Sequence, residues 1–318
     1  MMSPEPLITI EAAQRRFRQT LAIADVSLTI QPGELFGVVG PDGAGKSTLL
    51  RLLAAVLDPT AGRITIAGHD SVAEAEAIKA MMGYMPQRFG LYHDLTVREN
   101  LNFTAAIYGV QGAQLKARLA QLYDFTNLAD FKDFPAGKLS GGMQKKLALA
   151  CALIHEPSLL LLDEPTTGVD PVARRDFWDL LSGLHAQGTT TVVSTPYMDE
   201  AERCNRVALL YQGAILACDT PAAIKAQVPG SVMALVSSDN LQAEQVLQDM
   251  GGLIDIQTYG NLLNLIVADP AVARVAVTEQ LAGAGITIHS LQPAPLRMEE
   301  AFIYLVNHAA AGEAVREG

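Results

Sequence analysis

The nine residues "GPDGAGKST", positions 40–48, carry the spacing G-x-x-x-x-G-K-[ST], and their neighbours decide how that spacing is read. Before them runs "ELFGVVG", residues 34–40, a short apolar segment ending in glycine, the profile of a parallel strand buried on both faces. After them "KSTLLRLLAAVL", residues 46–57, has helical periodicity. Strand, glycine-rich turn and helix start, in that order, make a phosphate cradle. The loop Gly40-Pro41-Asp42-Gly43-Ala44-Gly45 turns backbone N–H groups inward, and the helix N-terminus adds positive potential. In such a cradle Lys46 reaches the β- and γ-phosphates, Ser47 holds Mg²⁺, and Thr48 continues into the helix.

A second stretch answers the first. "LLLLDEP", residues 159–165, places Asp163 and Glu164 at the end of an apolar strand, 117 residues after Lys46. In parallel-sheet nucleotide hydrolases carboxylates at that point stand beside the cradle. Asp163 suits Mg²⁺, usually through water, and Glu164 is placed to polarise an attacking water.

Working outward, "LITIEAA" (7–13) and "DVSLTIQPGE" (25–34) alternate as strands divided by a polar turn. Residues 91–134 turn helical, with "LTVRENLNFTAAIYG" (95–109) and "LKARLAQLYDFTNL" (115–128) as amphipathic segments. "LSGGMQKKLALACALIHEP" (139–157) starts a further helix with Ser140 as its cap, and "TTTVVST" (189–195) is another buried strand. This alternation predicts an α/β domain with a mainly parallel sheet and an inserted helical part. Near "QVPGS" (227–231) the style changes. "SVMALVSS", "NLQAEQVLQDMGG", two strands around Tyr259-Gly260-Asn261, "AVARVAVTEQLAGAG", "ITIHSLQP" and "MEEAFIYLVNHAA" read as βαββαβ plus a closing helix. That order is the ferredoxin-like α+β sandwich. The expected division is residues 1–228, with a helical subdomain at about 88–136, and 229–318.

Bulk properties narrow the function. The chain of 318 residues has a net charge of −11. From Gly230 onward ten acids face three bases, which is −7 and leaves −4 for the rest. No basic footprint for nucleic acid is present, since neutralising phosphates supplies most of that affinity. Cys151, Cys204 and Cys218 lie far apart without metal-ligand spacing, and buried reduced thiols are expected. No apolar run reaches the roughly 18 residues of a membrane span, and "MMSPEPLITIEAAQRRF" has no signal-peptide pattern. These features predict a cytosolic chain whose membrane contact is made through a partner.

With "LSGGMQ", Leu139-Ser140-Gly141-Gly142-Met143-Gln144, added to the two motifs, the chain resembles an ATP-binding cassette (ABC) ATPase subunit over about residues 5–228. The resemblance implies the ABC form of the P-loop NTPase core, ATP and Mg²⁺ as ligands, and ATP hydrolysis coupled to transport. It makes Phe17 in "RRFRQT" the aromatic that stacks on adenine, otherwise a packed core side chain. Gln87 in "GYMPQRFGLY" becomes the Q-loop glutamine, a Mg²⁺ ligand and sensor of a transmembrane partner, and Asp170 in "TTGVDP" the D-loop acid. In that family the signature caps the γ-phosphate held by an opposite subunit, so ATP joins two head-to-tail cassettes. "YMPQRFGLYHDLTVRENL" and "STPYMDEAERC" look most like ATPase subunits of bacterial ABC-2-type exporters, several of which carry an extension ending like "RMEEAFIYLV". Those subunits sit on the cytoplasmic face of the membrane against ABC-2-type permeases.

Two residues depart from the pattern. Where the family has Ser/Thr-His-Tyr/Phe-x-x-Glu-Ala, this chain has Thr195-Pro196-Tyr197, and none of its six histidines slides into that slot. Proline supplies neither a side-chain donor nor a backbone N–H. Losing one charge-stabilising donor costs on the order of 10²–10³ in rate, so the site is expected to bind ATP and turn it over slowly. Asp42 stands where asparagine is usual. Both changes resemble the N-terminal, histidine-lacking cassette of fused two-cassette drug-efflux ATPases, which implies a second cassette as mate. A slow homodimeric ATPase and a non-transport or regulatory ABC protein that binds ATP without efficient hydrolysis are the alternatives.

Overall fold

Residues 5–88 and 90–316 of a computed structural model describe the protein, with side chains through residue 308. Residues 1–4, Phe89 within the quoted Q-loop segment, and residues 317–318 at the end of the expected second domain lie outside the described residues. The chain divides into two compact units, residues 1–218 and 219–318.

The first unit opens with β1 (Ile8–Phe17) and β2 (Thr20–Ile30), an antiparallel hairpin. β1 runs on past the expected Ala13 to Phe17, while β2 begins at Thr20 rather than Asp25 and ends at Ile30 rather than Glu34. The polar "QRRF" stays in the ladder because register shifts after Ile10, Ala13 and Arg15 absorb it. β3 (Leu35–Val39) leads through the glycine loop to α1 (Lys46–Leu53), followed by β4 (Ala61–Ile66), β5 (His69–Asp70), α2 (Ala75–Met81) and β6 (Met82–Met85). The helical part comes next: α3 (Val97–Ile107), α4 (Gly112–Thr126) and α5 (Gly141–Leu153). Thr96 and Glu99 make α3 start where it does. The Glu99 N–H donates to Thr96 Oγ1 at 3.2 Å and the Thr96 N–H donates to the Glu99 carboxylate at 2.8 Å, a reciprocal cap. Then follow β7 (Leu159–Asp163), α6 (Pro171–Ala186), β8 (Thr190–Thr195), α7 (Met198–Ala201), β9 (Arg206–Tyr211) and β10 (Ala214–Asp219).

Two sheets result. One has the order β2-β1-β4-β5 and the other β10-β9-β3-β8-β7-β6. In the second, β3, β6, β7, β8 and β9 run parallel, and every residue of β3, β7 and β8 is buried, as continuous apolar runs require. The order matters for function: β8 lies between β3 and β7, so three carboxyl ends point into one region. Crevices outside such ends are where open α/β sheets bind ligands.

The second unit begins with α8 (Pro221–Lys225) and continues as β11 (Ser231–Ser237), α9 (Asn240–Leu247), β12 (Leu253–Tyr259), β13 (Leu262–Val267), α10 (Pro270–Gly283), β14 (Ile288–Ala294) and α11 (Met298–Arg316). Its antiparallel sheet has the order β12-β13-β11-β14. Alternation decides its two faces. Leu263, Leu265 and Val267 join Val277 and Leu281 of α10 in one core, while Ile266 packs with Val232 and Ala301 of α11 on the other side.

None of the three cysteines is in a disulfide; Cys204 is buried, and Cys151 and Cys218 are half-buried. Burial pushes the Cys151 thiol up to about 11 and Cys204 up to about 12. Among the described residues no helix is long and apolar enough to cross a membrane.

Leu161 sits fully buried in β7, paired with Tyr84 and Val192. Leu161→Ala is expected to lower the unfolding free energy by about 2–5 kcal/mol. Val56→Ala, at an exposed position, is expected to change it by no more than about 0.5 kcal/mol. Equilibrium denaturation of both variants checks the difference.

Candidate nucleotide site

The cradle is shaped by close backbone approach. A Cβ on Gly40 would lie 2.1 Å from the Leu210 carbonyl oxygen, and one on Gly45 2.5 Å from the Ala22 oxygen, where φ is also +107°. Only glycine fits either place. Gly45 caps α1 without any side-chain hydrogen bond, and the first turn holds no acid, so its N–H groups face an anion site. The Lys46 ammonium is 3% exposed. It donates to Gly40 O at 2.9 Å and Pro41 O at 3.0 Å, and pairs with Glu164 Oε1 at 3.1 Å. The Asp42 carboxylate is 94% exposed and 4.0 Å from the ammonium, turned mostly to solvent.

At the end of β7 the two acids are held differently. Asp163 Oδ1 accepts from Ser47 Oγ at 2.8 Å and Ser194 Oγ at 2.7 Å. Its Oδ2 is buried with no protein partner. A fully buried carboxylate oxygen left over beside a serine hydroxyl is a donor set that fits Mg²⁺. Glu164 takes a left-handed backbone, φ +49°, a conformation that costs a non-glycine residue about 1–3 kcal/mol and is held by its surroundings. Its N–H donates to Ser194 O and Oγ, and its carboxylate accepts from Gln87 Nε2 at 2.8 Å and from Thr167 Oγ1 at 3.3 Å. Beneath it lies Lys145 of α5, 7% exposed, donating to the Glu164 carbonyl at 3.3 Å. Burial holds the Lys145 ammonium below the usual lysine value, against the opposing pull of Glu164 and Asp163.

An open cleft of about 790 Å³ is lined by Asp42, Gly43, Gly45, Lys46, Ser47, Thr48, Gln87, Glu164, Pro196 and Tyr197 among others, with Asp163, Ser194 and Lys145 outside its lining. Pro196 thus faces the cleft and offers it no side-chain donor. Phe17 does not line it. The ring is 41% exposed at the end of β1 with the Arg15 guanidinium 4.6 Å from its centre, three residues before Thr20, which does line the cleft. The six residues of "LSGGMQ" are also outside it. Ser140 is exposed and caps α5, its Oγ accepting from the Met143 N–H at 3.3 Å, and Gly141 faces open space. Leu139 is buried, and Gln144 ties back to Ala136 O and Leu139 O. Asp170 caps α6 through Val172 N and Ala173 N.

Sequence reasoning missed Ser194, Lys145, Thr166 and Glu200. Glu200 is 1% exposed and accepts from Thr166 Oγ1 at 2.8 Å and Thr195 Oγ1 at 2.5 Å, with Arg174 Nε 3.6 Å away. One carboxylate therefore binds the segment after β7, the end of β8 and α6. The polar ending "ST" of "TTTVVST", a segment read as a buried strand, was the available signal. Glu200→Ala is expected to cost about 2–5 kcal/mol of stability, because it orphans the buried hydroxyls of Thr166 and Thr195, while Arg174 keeps its pairing with Asp199. Chemical denaturation measures it.

Residues 23–167 match the family described as "ABC transporter". The chain is 39% identical over 314 residues to the probable multidrug ABC transporter ATP-binding protein YbhF of Escherichia coli K12, covering 97% of this chain and 54% of that one. It therefore spans about half the length of that relative. It is 34% identical over 301 residues to the daunorubicin resistance ATP-binding protein DrrA3 of Streptomyces coeruleorubidus, covering 94% of this chain and 95% of that one. A solved structure of the ATP-binding cassette MJ0796, dimeric, in a post-hydrolysis state with ADP and Pi, superposes with a TM-score of 0.62 at 26% identity. That match covers 67% of this chain and 98% of the other. Motifs, cleft and relatives agree: the chain belongs to the ABC transporter family of ATP-binding cassettes.

Proposed function

We propose that this chain is an ATP-hydrolysing subunit that powers a membrane exporter through ATP-driven head-to-tail pairing of cassettes, with a weakened hydrolysis site of its own. The observation that carries the reading is the convergence of Lys46, Ser47, Glu164 and Gln87 on one cleft, with Asp163 buried behind them on the Ser47 hydroxyl, while the exposed tip at Ser140–Gly141 stands outside it. A triphosphate in the cradle would take the α1 N–H groups and the Lys46 ammonium, drawing that ammonium off Glu164. Mg²⁺, held by Ser47 and Asp163 with Gln87 in reach, would neutralise phosphate charge. Glu164, left with Gln87 and Thr167, orients the attacking water and takes its proton. The second cassette supplies its serine-led helix tip to the γ-phosphate, and Asp170 lies at the junction.

Export and membrane attachment rest on the relatives' names and on a groove. Tyr84, Met85, Tyr92, Phe103, Ile107 and Tyr108 border an apolar hollow of about 310 Å³ next to the Gln87 segment. An ABC-2-type permease would seat a short cytoplasmic helix there, which places the chain on the inner face of the membrane. Pro196 favours a mate with an intact histidine over a twin of this chain. It also supports a second reading, a regulatory cassette that binds ATP without hydrolysing it.

Phosphate release by the purified chain, alone and mixed with candidate sister cassettes, tests the reading. Lys46→Ala is expected to weaken MgATP binding at least tenfold, or about 1.4 kcal/mol. Glu164→Gln is expected to abolish turnover with binding retained, and Pro196→His to raise turnover several-fold. Tight MgATP binding with no turnover in any mixture, Pro196→His included, would select the regulatory reading.

A further inference from the structure

The Lys145 ammonium, on the helix that begins at the signature, is buried directly under Glu164 and donates to its carbonyl oxygen. The adjacent Lys146 points elsewhere, pairing with Asp176 at 3.2 Å on the surface of α6. Two acids and two ammonium groups therefore share this interior: Asp163, Glu164, Lys46 and Lys145. Lys46 belongs to the phosphate cradle. Once phosphate takes it, Lys145 is the cation that stays with the acids.

Geometry makes that position consequential. Glu164 is in the left-handed region, and its carboxylate accepts from Gln87 at the cleft. The Ser194 hydroxyl and carbonyl hold the Glu164 N–H; Lys145 holds its carbonyl. Five residues separate Lys145 from Ser140, about one and a half helical turns, so both ride on the same rigid segment.

We propose that Lys145 is a positioning residue for Glu164: it fixes the backbone that aims the carboxylate and passes displacement of the signature tip to this chain's own hydrolytic acid. This rests on the hydrolytic reading of Glu164, and the test separates the two. Amide hydrogen exchange of the nucleotide-free full chain is compared with Lys145→Met and Lys145→Arg, alongside MgATP affinity and turnover. In Lys145→Met, exchange at residues 164–168 is expected to quicken by about tenfold while β7 stays protected. MgATP affinity should hold within about twofold and turnover fall by about tenfold or more, with Lys145→Arg recovering both. Unchanged exchange at 164–168 overturns the inference. So does a uniform acceleration through β7 and β8 that arginine does not rescue, since that marks a packing residue. Local acceleration with wild-type turnover overturns it as well. A wild type silent in ATPase would count against the hydrolytic reading, while the exchange comparison still decides whether Lys145 holds Glu164.

Discussion

Burying two carboxylates costs more than most folds tolerate, and this site is organised around meeting that cost. Asp163 and Glu164 end a strand with no exposed residue. They are acceptable there because Lys46, Lys145, Ser47, Ser194, Gln87 and Thr167 converge on them. Lys46 and Ser47 come from α1 and the other four from four further parts of the chain, and the placement of β8 between β3 and β7 sets α1 and Ser194 beside the two acids. The sheet order is thus the condition for the charge cluster, and the charge cluster is the condition for the proposed chemistry.

In the proposed cycle, Lys46 is engaged in two ways. Without phosphate its three donors go to two loop carbonyls and to Glu164. Nucleotide must compete with that pairing, and success frees the Glu164 carboxylate. The same contact that stabilises the buried acid thereby keeps it from acting before the cradle is filled. Pro196 stands on the other side of the cleft and offers no side-chain donor that could meet developing charge in that cycle. An asymmetric pair, in which one cassette lends its signature and the other its complete site, fits that imbalance.

How much of this was legible in the amino-acid order depended on range. The cradle was legible because its demands are local: glycine where backbones approach within a Cβ radius at 40 and 45, and a strand and a helix on either side. The acids at 163 and 164 were legible because carboxylates closing an apolar strand are out of place without a reason. The second unit's alternation likewise told its faces apart, since Leu263 and Leu265 go one way and Ile266 the other. Lys145, Ser194 and Glu200 were not legible. Their roles arise from which strands and helices become neighbours, and no spacing in the chain encodes that. Residues 14–17 were read short for a related reason: the polar run Gln14-Arg15-Arg16 hides a ladder maintained by bulges.

In the proposed cycle triphosphate joins the glycine cradle of one cassette to the serine-led helix tip of another. Light-scattering mass of the Glu164→Gln chain, with a sister cassette and the membrane component present, reads that junction. Paired cassettes are expected at saturating MgATP, single ones with MgADP, and single ones again when Ser140→Arg blocks the tip that this chain offers the sister. Cassettes that stay single in MgATP, or pair equally well in MgADP, would contradict it.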